Sequence, residues 1–182
     1  MATNVRSPAM AIGSLALAIA GCSAYHTAAD ESDEVLVLRE VLRSGLQTWD
    51  STILVTEPED CSLQLQYFVE HKPEVKLLEE CHRASASKAP LPSLGVEGVL
   101  ELSRDEEGAA VKVTPEYTFE FPGRGPVSVV SMSRPGFSDD GTEALVQLTV
   151  QRGFVAAWGG AVFLRKVVSR WRVVWREMIW MS

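Results

Sequence analysis

The chain has 182 residues, of which 46% are hydrophobic and 23% are charged. This size and composition are typical of one globular domain with a sizeable core. Its 24 acidic and 17 basic residues give a net charge of −7, which disfavours nucleic-acid binding because phosphate recognition needs a basic surface.

The beginning of the chain predicts an export signal. One positive charge, Arg6, precedes an uninterrupted run of small and apolar residues from Ala9 to Ala20. The run is too short to cross a bilayer, which takes about 20 helical residues, and it lacks the polar face of a surface helix. Residues 1–21 are therefore predicted to be a signal peptide.

The end of this run, Ile19-Ala20-Gly21-Cys22, resembles the lipobox of bacterial lipoproteins. In that family the cysteine thiol is acylated, the preceding peptide is removed, and the cysteine becomes the new N-terminus. The resemblance implies a membrane anchor through lipid on Cys22. The alternative is an ordinary signal peptide that is cleaved near Ala20 or Ala24.

The residue after the lipidated cysteine bears on the destination of a lipoprotein. In bacteria with two membranes, an aspartate at this position commonly retains lipoproteins at the inner membrane. Here the position is Ser23, so the resemblance implies an outer-membrane protein that faces the periplasm.

The segment after Cys22 predicts a tether and then one domain. Residues 23–33 are small, polar and acidic, with no packing pattern, and a coil of this length spans on the order of 20 Å. We assign residues 22–33 to the lipidated cysteine and its flexible tether, and residues 34–182 to a single α+β domain.

The two remaining cysteines, Cys61 and Cys81, predict a disulfide, because an exported protein folds in an oxidising compartment. The alternative is a metal site that also uses His71 and His82. Zinc sites usually contain closely spaced ligand pairs, and only Cys81 and His82 are near neighbours in sequence. We therefore expect no metal.

The first half of the domain predicts mainly helices. A helix begins at Ser32 or Asp33, either of which can cap it, and Gly45 either ends or bends it. Its apolar residues recur at helical spacing: Val35, Leu38, Leu42, Leu46 and Trp49. The expected elements that follow are a strand over 52–56, a helix entered at Pro58-Glu59-Asp60, an ambiguous segment over 61–70 and a helix over 74–83.

From Val96 onward the apolar period changes to two, which predicts strands. Residues 105–108 are interpreted as a solvated turn between two of them. The expected strands are 96–102, 110–113, 117–121, 127–134, 143–152, 162–168 and 171–180. Asp140-Gly141 and Ser169-Arg170 predict hairpin turns, so we expect an antiparallel meander over the C-terminal third. The fold class is α+β, with N-terminal helices packed on one face of a twisted antiparallel sheet.

The C-terminal third also resembles the ending of small uncharacterised secreted bacterial proteins. The resemblance lies in residues 136–146, which include Gly136-Phe137 and Asp140-Gly141, in the Gly159-Gly160 segment, in Trp171-Arg172-Val173-Val174, and in the terminal Trp180-Met181-Ser182. It implies a shared sheet and no activity. The helix-then-meander layout is similar to nuclear-transport-factor-2-like (NTF2-like) and cystatin-like folds by analogy only.

Charge is unevenly distributed along the chain. Residues 151–182 contain six basic residues and one acidic residue, whereas residues 30–60 are rich in acid. We expect the two segments to lie close together and partly neutralise each other. A basic patch that faces anionic lipid or cell wall is the alternative.

No catalytic constellation is recognisable in the sequence. None of the common serine-hydrolase, zinc-hydrolase or phosphate-loop motifs occurs. We interpret His26 as solvated and both His71 and His82 as structural. No catalytic residue and no cofactor are predicted.

The tryptophans near the C-terminus are the one candidate binding constellation. Trp158, Trp171, Trp175 and Trp180 lie in this region, with Arg172 and Arg176 among them. In a regular strand Trp171 and Trp175 share a face, and the favoured interpretation is that this face packs on the core. The alternative is an aromatic platform for a glycan or an anionic partner.

These observations favour a lipid-anchored, non-enzymatic envelope protein that binds an envelope protein partner or supports an envelope assembly. The alternative is a module that binds a small ligand or glycan on a concave NTF2-like sheet, which requires a pocket of at least ~300 Å³ with convergent polar groups. A hydrolase is the remote alternative.

Overall fold

The computed structural model describes residues 31–45 and 51–182. The predicted signal peptide, Cys22, the tether before Glu31, Leu46 and Trp49 lie outside these residues. The helices are α1 (Asp33–Gly45), α2 (Val75–Ser85) and α3 (Arg104–Ala110). The strands are β1 (Thr52–Val55), β2 (Val99–Leu102), β3 (Lys112–Val113), β4 (Phe119–Phe121), β5 (Gly125–Pro126), β6 (Ser128–Met132), β7 (Gly136–Phe137), β8 (Glu143–Gln151), β9 (Ala157–Val167) and β10 (Arg170–Met181).

The fold is α+β, as predicted. The main sheet has the strand order β10-β9-β8-β6-β1-β2, with β7 also paired to β8, and β3, β4 and β5 form a separate small sheet. Strands β6, β8, β9 and β10 are antiparallel neighbours, which confirms the meander. The sheet as a whole is mixed, because β1 runs parallel to both β2 and β6.

Helix α1 packs on one face of the main sheet. Ser32 Oγ accepts a hydrogen bond from the Val35 backbone N–H at 3.4 Å, which identifies Ser32 as the capping residue. The helix contributes Val37, Leu38, Val41 and Leu42 to the core. Their neighbours in this core include Leu54, Val130, Met132, Val146, Leu148, Val162 and Leu164.

Helix α2 packs on the opposite face of the sheet. Its Leu77, Leu78 and Cys81 form a second core with Leu145 and Phe163. The prediction that the N-terminal helices share one face is wrong, because the sheet lies between them. Strand β8 is accordingly buried on both faces over 144–150, as is usual for a strand covered by helices on both sides.

Two segments differ from the sequence prediction. Residues 105–108, expected to be a turn, lie in α3, where Ser103 and Glu106 form a reciprocal capping box that stabilises the helix start. The expected strand over 110–113 consequently shortens to β3. Pro58-Glu59-Asp60 does not enter a helix, because the Glu59 backbone N–H donates to Met132 O at 2.9 Å and holds the chain against the sheet.

Both hairpin predictions are confirmed, with small shifts in position. Gly141 has φ 65° in the turn between β7 and β8. The second turn lies at Val168-Ser169, one residue earlier than expected, because Val167 pairs with Arg170. The helix predicted over 74–83 is α2, and the ambiguous segment contains one 3₁₀ turn at Leu65–Tyr67.

Candidate ligand-binding cleft

The two cysteines of the domain come together as predicted. Cys61 and Cys81 lie at disulfide-bonding distance, with their Cα atoms 5.9 Å apart. The pair connects the segment after β1 to the middle of α2. Both side chains are buried in the α2-side core.

The C-terminal tryptophans do not form a single surface. A bulge in β10 between Val173 and Trp175 shifts the register against β9, and an extra residue in one strand turns the following side chains to the other face. The prediction that Trp171 and Trp175 share a face is therefore wrong. Trp171 packs in the α1-side core, whereas Trp175 packs against the α2-side core.

Trp171 and Trp175 are both held by packing. The Trp171 side chain is buried and its Nε1–H donates to Asp33 at 2.9 Å. The Trp175 ring stacks on Phe163 at 5.3 Å and on His71 at 5.5 Å between centroids. The interpretation of these two indoles as core residues agrees with this geometry.

Trp158 and the two arginines lie elsewhere. Trp158 is half-buried against the α1-side core, and with Arg176 it lines a cleft of about 520 Å³ at the end of α1. The Arg176 guanidinium hydrogen-bonds Ser44 Oγ, and burial lowers the pKa of Arg176 although Glu40 opposes that shift. Arg172 is exposed and lines a different cleft.

Trp180 is the exposed member of the set, with 43% of its surface accessible. A second register shift of β10 between Met178 and Trp180 pairs Trp180 with Gly159. The indole lies directly on that glycine, since a Cβ atom there would overlap the indole ring. Only glycine leaves enough room for the indole to lie flat on the strand.

This indole forms one wall of a cleft of about 360 Å³ on the α2 face of the sheet, which we call the Trp180 cleft. Its lining residues are Ser62, Leu63, Gln64, Tyr67, Gln147, Gly160, Ile179 and Trp180. The cleft thus combines an aromatic plane with amide and hydroxyl groups. The α1–sheet interface on the other face is filled by core side chains, so the Trp180 cleft is not a concave pocket beneath that helix.

The polar wall of the cleft is fixed by buried hydrogen bonds. Gln147 is 8% exposed, and its Oε1 accepts from the Ser62 backbone N–H at 2.7 Å and from Ser62 Oγ at 3.2 Å. Thr149 lies two residues further along β8, on the same face as Gln147. Its hydroxyl donates to Glu59 Oε2 at 2.7 Å. Both ends of the Gln147 amide are thus engaged, Oε1 with Ser62 and the amide group with Glu59, and the residue fixes the position of Ser62 at the cleft.

Glu59 is the titratable group behind this wall. Burial raises the pKa of Glu59, although hydrogen bonds from Thr149, Ser131 and Gln147 and the charge of Arg104 act in the opposite direction. Carboxyl groups with perturbed pKa values cluster at functional sites, but Glu59 itself does not line the cleft. Sequence reasoning missed it, because it assigned Glu59 to the first turn of a helix.

The opposite wall is positioned by Glu177 and His82. Glu177 Oε1 accepts hydrogen bonds from the Val69 and Glu70 backbone N–H groups, which ties the segment after the 3₁₀ turn to β10. His82 Nε2 lies 2.8 Å from Leu63 O. In the described part of the chain, neither His71 nor His82 hydrogen-bonds a hydroxyl, a thiol or a carboxylate.

Within residues 31–45 and 51–182, no three side chains gather as a metal site, and none of the helices has the length and apolarity to cross a bilayer. No protein-family model, no curated protein and no solved structure matches the chain.

Proposed function

We propose that this protein is a lipid-anchored protein of the bacterial envelope that binds a carbohydrate chain without chemical conversion. The Ile19-Ala20-Gly21-Cys22 sequence supports the anchor. The Cys61–Cys81 pair is in keeping with an oxidising compartment. Ser23 after the anchor supports the outer membrane, with the domain in the periplasm.

The observation that carries the binding proposal is the position of Trp180 on Gly159 beside the buried Gln147 amide. A sugar ring has an apolar C–H face and a rim of hydroxyl groups. The exposed indole offers a flat apolar plane for that face. The exposed Gln64 and Ser62 side chains offer hydrogen-bonding groups for the rim, and the buried Gln147 amide holds Ser62 in place. A volume of about 360 Å³ lies within the usual range of ligand sites.

Isothermal titration of the purified protein with oligosaccharides of N-acetylated amino sugars tests this proposal. We expect saturable binding that Trp180→Ala weakens at least tenfold, because the stacking plane is removed. Phe154→Ala is the matched control, since Phe154 is an exposed aromatic residue outside the cleft, 74% accessible. Absence of binding by the wild type, or equal loss in both variants, would contradict the proposal.

A protein partner is the second candidate, and β10 favours it. This strand lies at the edge of the main sheet and exposes Val174 and Met181. An exposed edge strand can pair with a strand of another protein. Crosslinking in intact envelopes from a photoreactive residue at position 174 is expected to capture one specific protein, and the absence of a specific product would exclude this candidate.

A further inference from the structure

The turn between β9 and β10 exposes two valines. Val167 is 54% and Val168 is 95% accessible. Val168 has φ 56°, and the Ser169 N–H donates to Val167 O at 3.0 Å across it, which makes a γ-turn. A β-branched residue is strained in this conformation, so neither backbone preference nor core packing accounts for valine at position 168.

Three arginines lie beside this turn. Arg43, Arg170 and Arg172 line a cleft of about 340 Å³ between α1 and the start of β10, where Glu40 is the single carboxylate among the lining residues. Among the described residues, Arg170 and Arg172 form no ion pair with a carboxylate. Arg43 makes no contact ion pair either, although its charge acts on the Glu31 carboxylate. Arg39, which also lines the cleft, pairs with Glu31 at 2.6 Å. The turn is thus flanked by positive charge on a protein whose net charge is negative.

The start of the described chain lies close to the same turn. Lys166 and Trp171 flank the turn, and both hydrogen-bond Asp33 at the beginning of α1. Between Cys22 and Glu31 there are only eight residues, which reach at most about 30 Å when fully extended. A lipid on Cys22 would therefore keep this end of the domain near the bilayer surface.

We propose that the Val167-Val168 turn and the flanking arginines Arg43, Arg170 and Arg172 contact anionic phospholipid headgroups. The valines enter the interfacial region and the arginines pair with phosphates. This inference rests on the lipid anchor in the proposed function. It also gives the domain an orientation. Trp180 lies about 30 Å along β10 from Arg170, so the Trp180 cleft lies at the end of the strand that is distant from the membrane.

An environment-sensitive NBD fluorophore tests the contact in the lipidated protein on vesicles. Val168→Cys introduces one free thiol for labelling, since Cys61 and Cys81 are paired and Cys22 is acylated. Val69→Cys is the matched control, because Val69 is an 85% exposed valine in the segment between the 3₁₀ turn and α2. The vesicles contain phosphatidylcholine, with or without phosphatidylglycerol, and a doxyl-lipid quencher.

We expect the probe at position 168 to shift to the blue and to be quenched on vesicles with phosphatidylglycerol, and the probe at position 69 to do neither. Replacing Arg170 and Arg172 with Gln should weaken the contact by about fivefold per arginine, whereas Arg124→Gln should not. Flotation of the vesicles reports the anchor separately. If the protein floats and the two probes give equal signals, the proposed contact is wrong and the anchor stands. If the protein does not float, both the anchor and the contact are wrong.

Discussion

The Trp171 indole N–H donates a hydrogen bond to Asp33 Oδ1 at 2.9 Å across 138 positions of sequence. Lys166 Nζ binds the same oxygen at 2.8 Å. One carboxylate at the start of α1 thus connects the first helix to the last two strands. It also agrees with the expectation that the acidic N-terminal segment and the basic C-terminal segment partly neutralise each other.

Asp33→Ala is expected to lower the free energy of unfolding by about 2 kcal/mol, because it leaves the buried Trp171 N–H without its partner. Burial alone raises the pKa of Asp33, but the hydrogen bonds from Lys166 and Trp171 lower it below the ordinary value. The contribution of ionised Asp33 to the free energy of unfolding is therefore present at neutral pH and is lost as the pH falls below about 4.

Urea denaturation at neutral pH and near pH 3 measures this effect. Asp139→Asn is the control, because its ion pair with Lys76 is exposed and such pairs contribute less than about 1 kcal/mol. An Asp33→Ala variant as stable as Asp139→Asn at neutral pH would contradict the role assigned to Asp33.

The Cys61–Cys81 disulfide closes a loop with a sequence separation of 20. Its loss is expected to cost about 3 kcal/mol through the entropy of the unfolded chain. The double variant Cys61→Ala/Cys81→Ala should show this loss of stability in urea denaturation. The reduced wild type, which keeps both cysteine side chains, should show the same loss. Two titratable thiols in native, oxidised wild-type domain would show that the bond does not form.

Local patterns predicted the elements whose contacts are local. Leu38 and Leu42 repeat at helical spacing and mark α1, and Asp140-Gly141 marks a hairpin. The sequence also contains a local signal for α3, because Ser103 and Glu106 have the spacing of a capping box. Its charged residues and Gly108 favoured a turn instead, because glycine is a poor helix former.

Features that depend on pairing between distant strands could not be predicted in this way. The parallel pairing of β1 with β6 joins residues more than 70 positions apart. The bulge at Val174, which separates Trp171 from Trp175, exists only relative to β9. The contact of Trp180 with Gly159 depends on the same ladder, so the sequence indicated aromatic residues but not which of them forms a cleft.

Glu59→Gln is expected to flatten the pH dependence of stability. Burial raises the pKa of Glu59 in the folded protein, so folding favours the protonated carboxyl group. The contribution of protonated Glu59 to the free energy of unfolding is fully present below about pH 4, and it declines as the pH rises through the folded-state pKa. Urea denaturation from pH 4 to 8 measures the slope, which Glu97→Gln, at an exposed glutamate, should leave unchanged. If the stability of Glu59→Gln depends on pH as steeply as that of the wild type, the pKa of Glu59 is not raised by folding.

Gly159→Ala is expected to destabilise the protein by about 1–3 kcal/mol, because its new methyl group collides with the Trp180 indole. Gly108→Ala is the matched control. Gly108 lies in α3 with open space around it, so alanine should stabilise the protein by about 0.5–1 kcal/mol. Thermal unfolding and tryptophan fluorescence compare the two variants, and equal melting temperatures would contradict the tight contact at Gly159.

The lipid anchor on Cys22 is the central claim, and intact mass combined with membrane fractionation tests it most directly. Wild-type protein should begin at Cys22, carry the added mass of acyl chains and sediment with membranes. Cys22→Ala should lack the acyl mass and leave the membrane-bound fraction. Identical masses, apart from the substituted side chain, and identical fractionation of the two proteins would show that Cys22 is not lipidated.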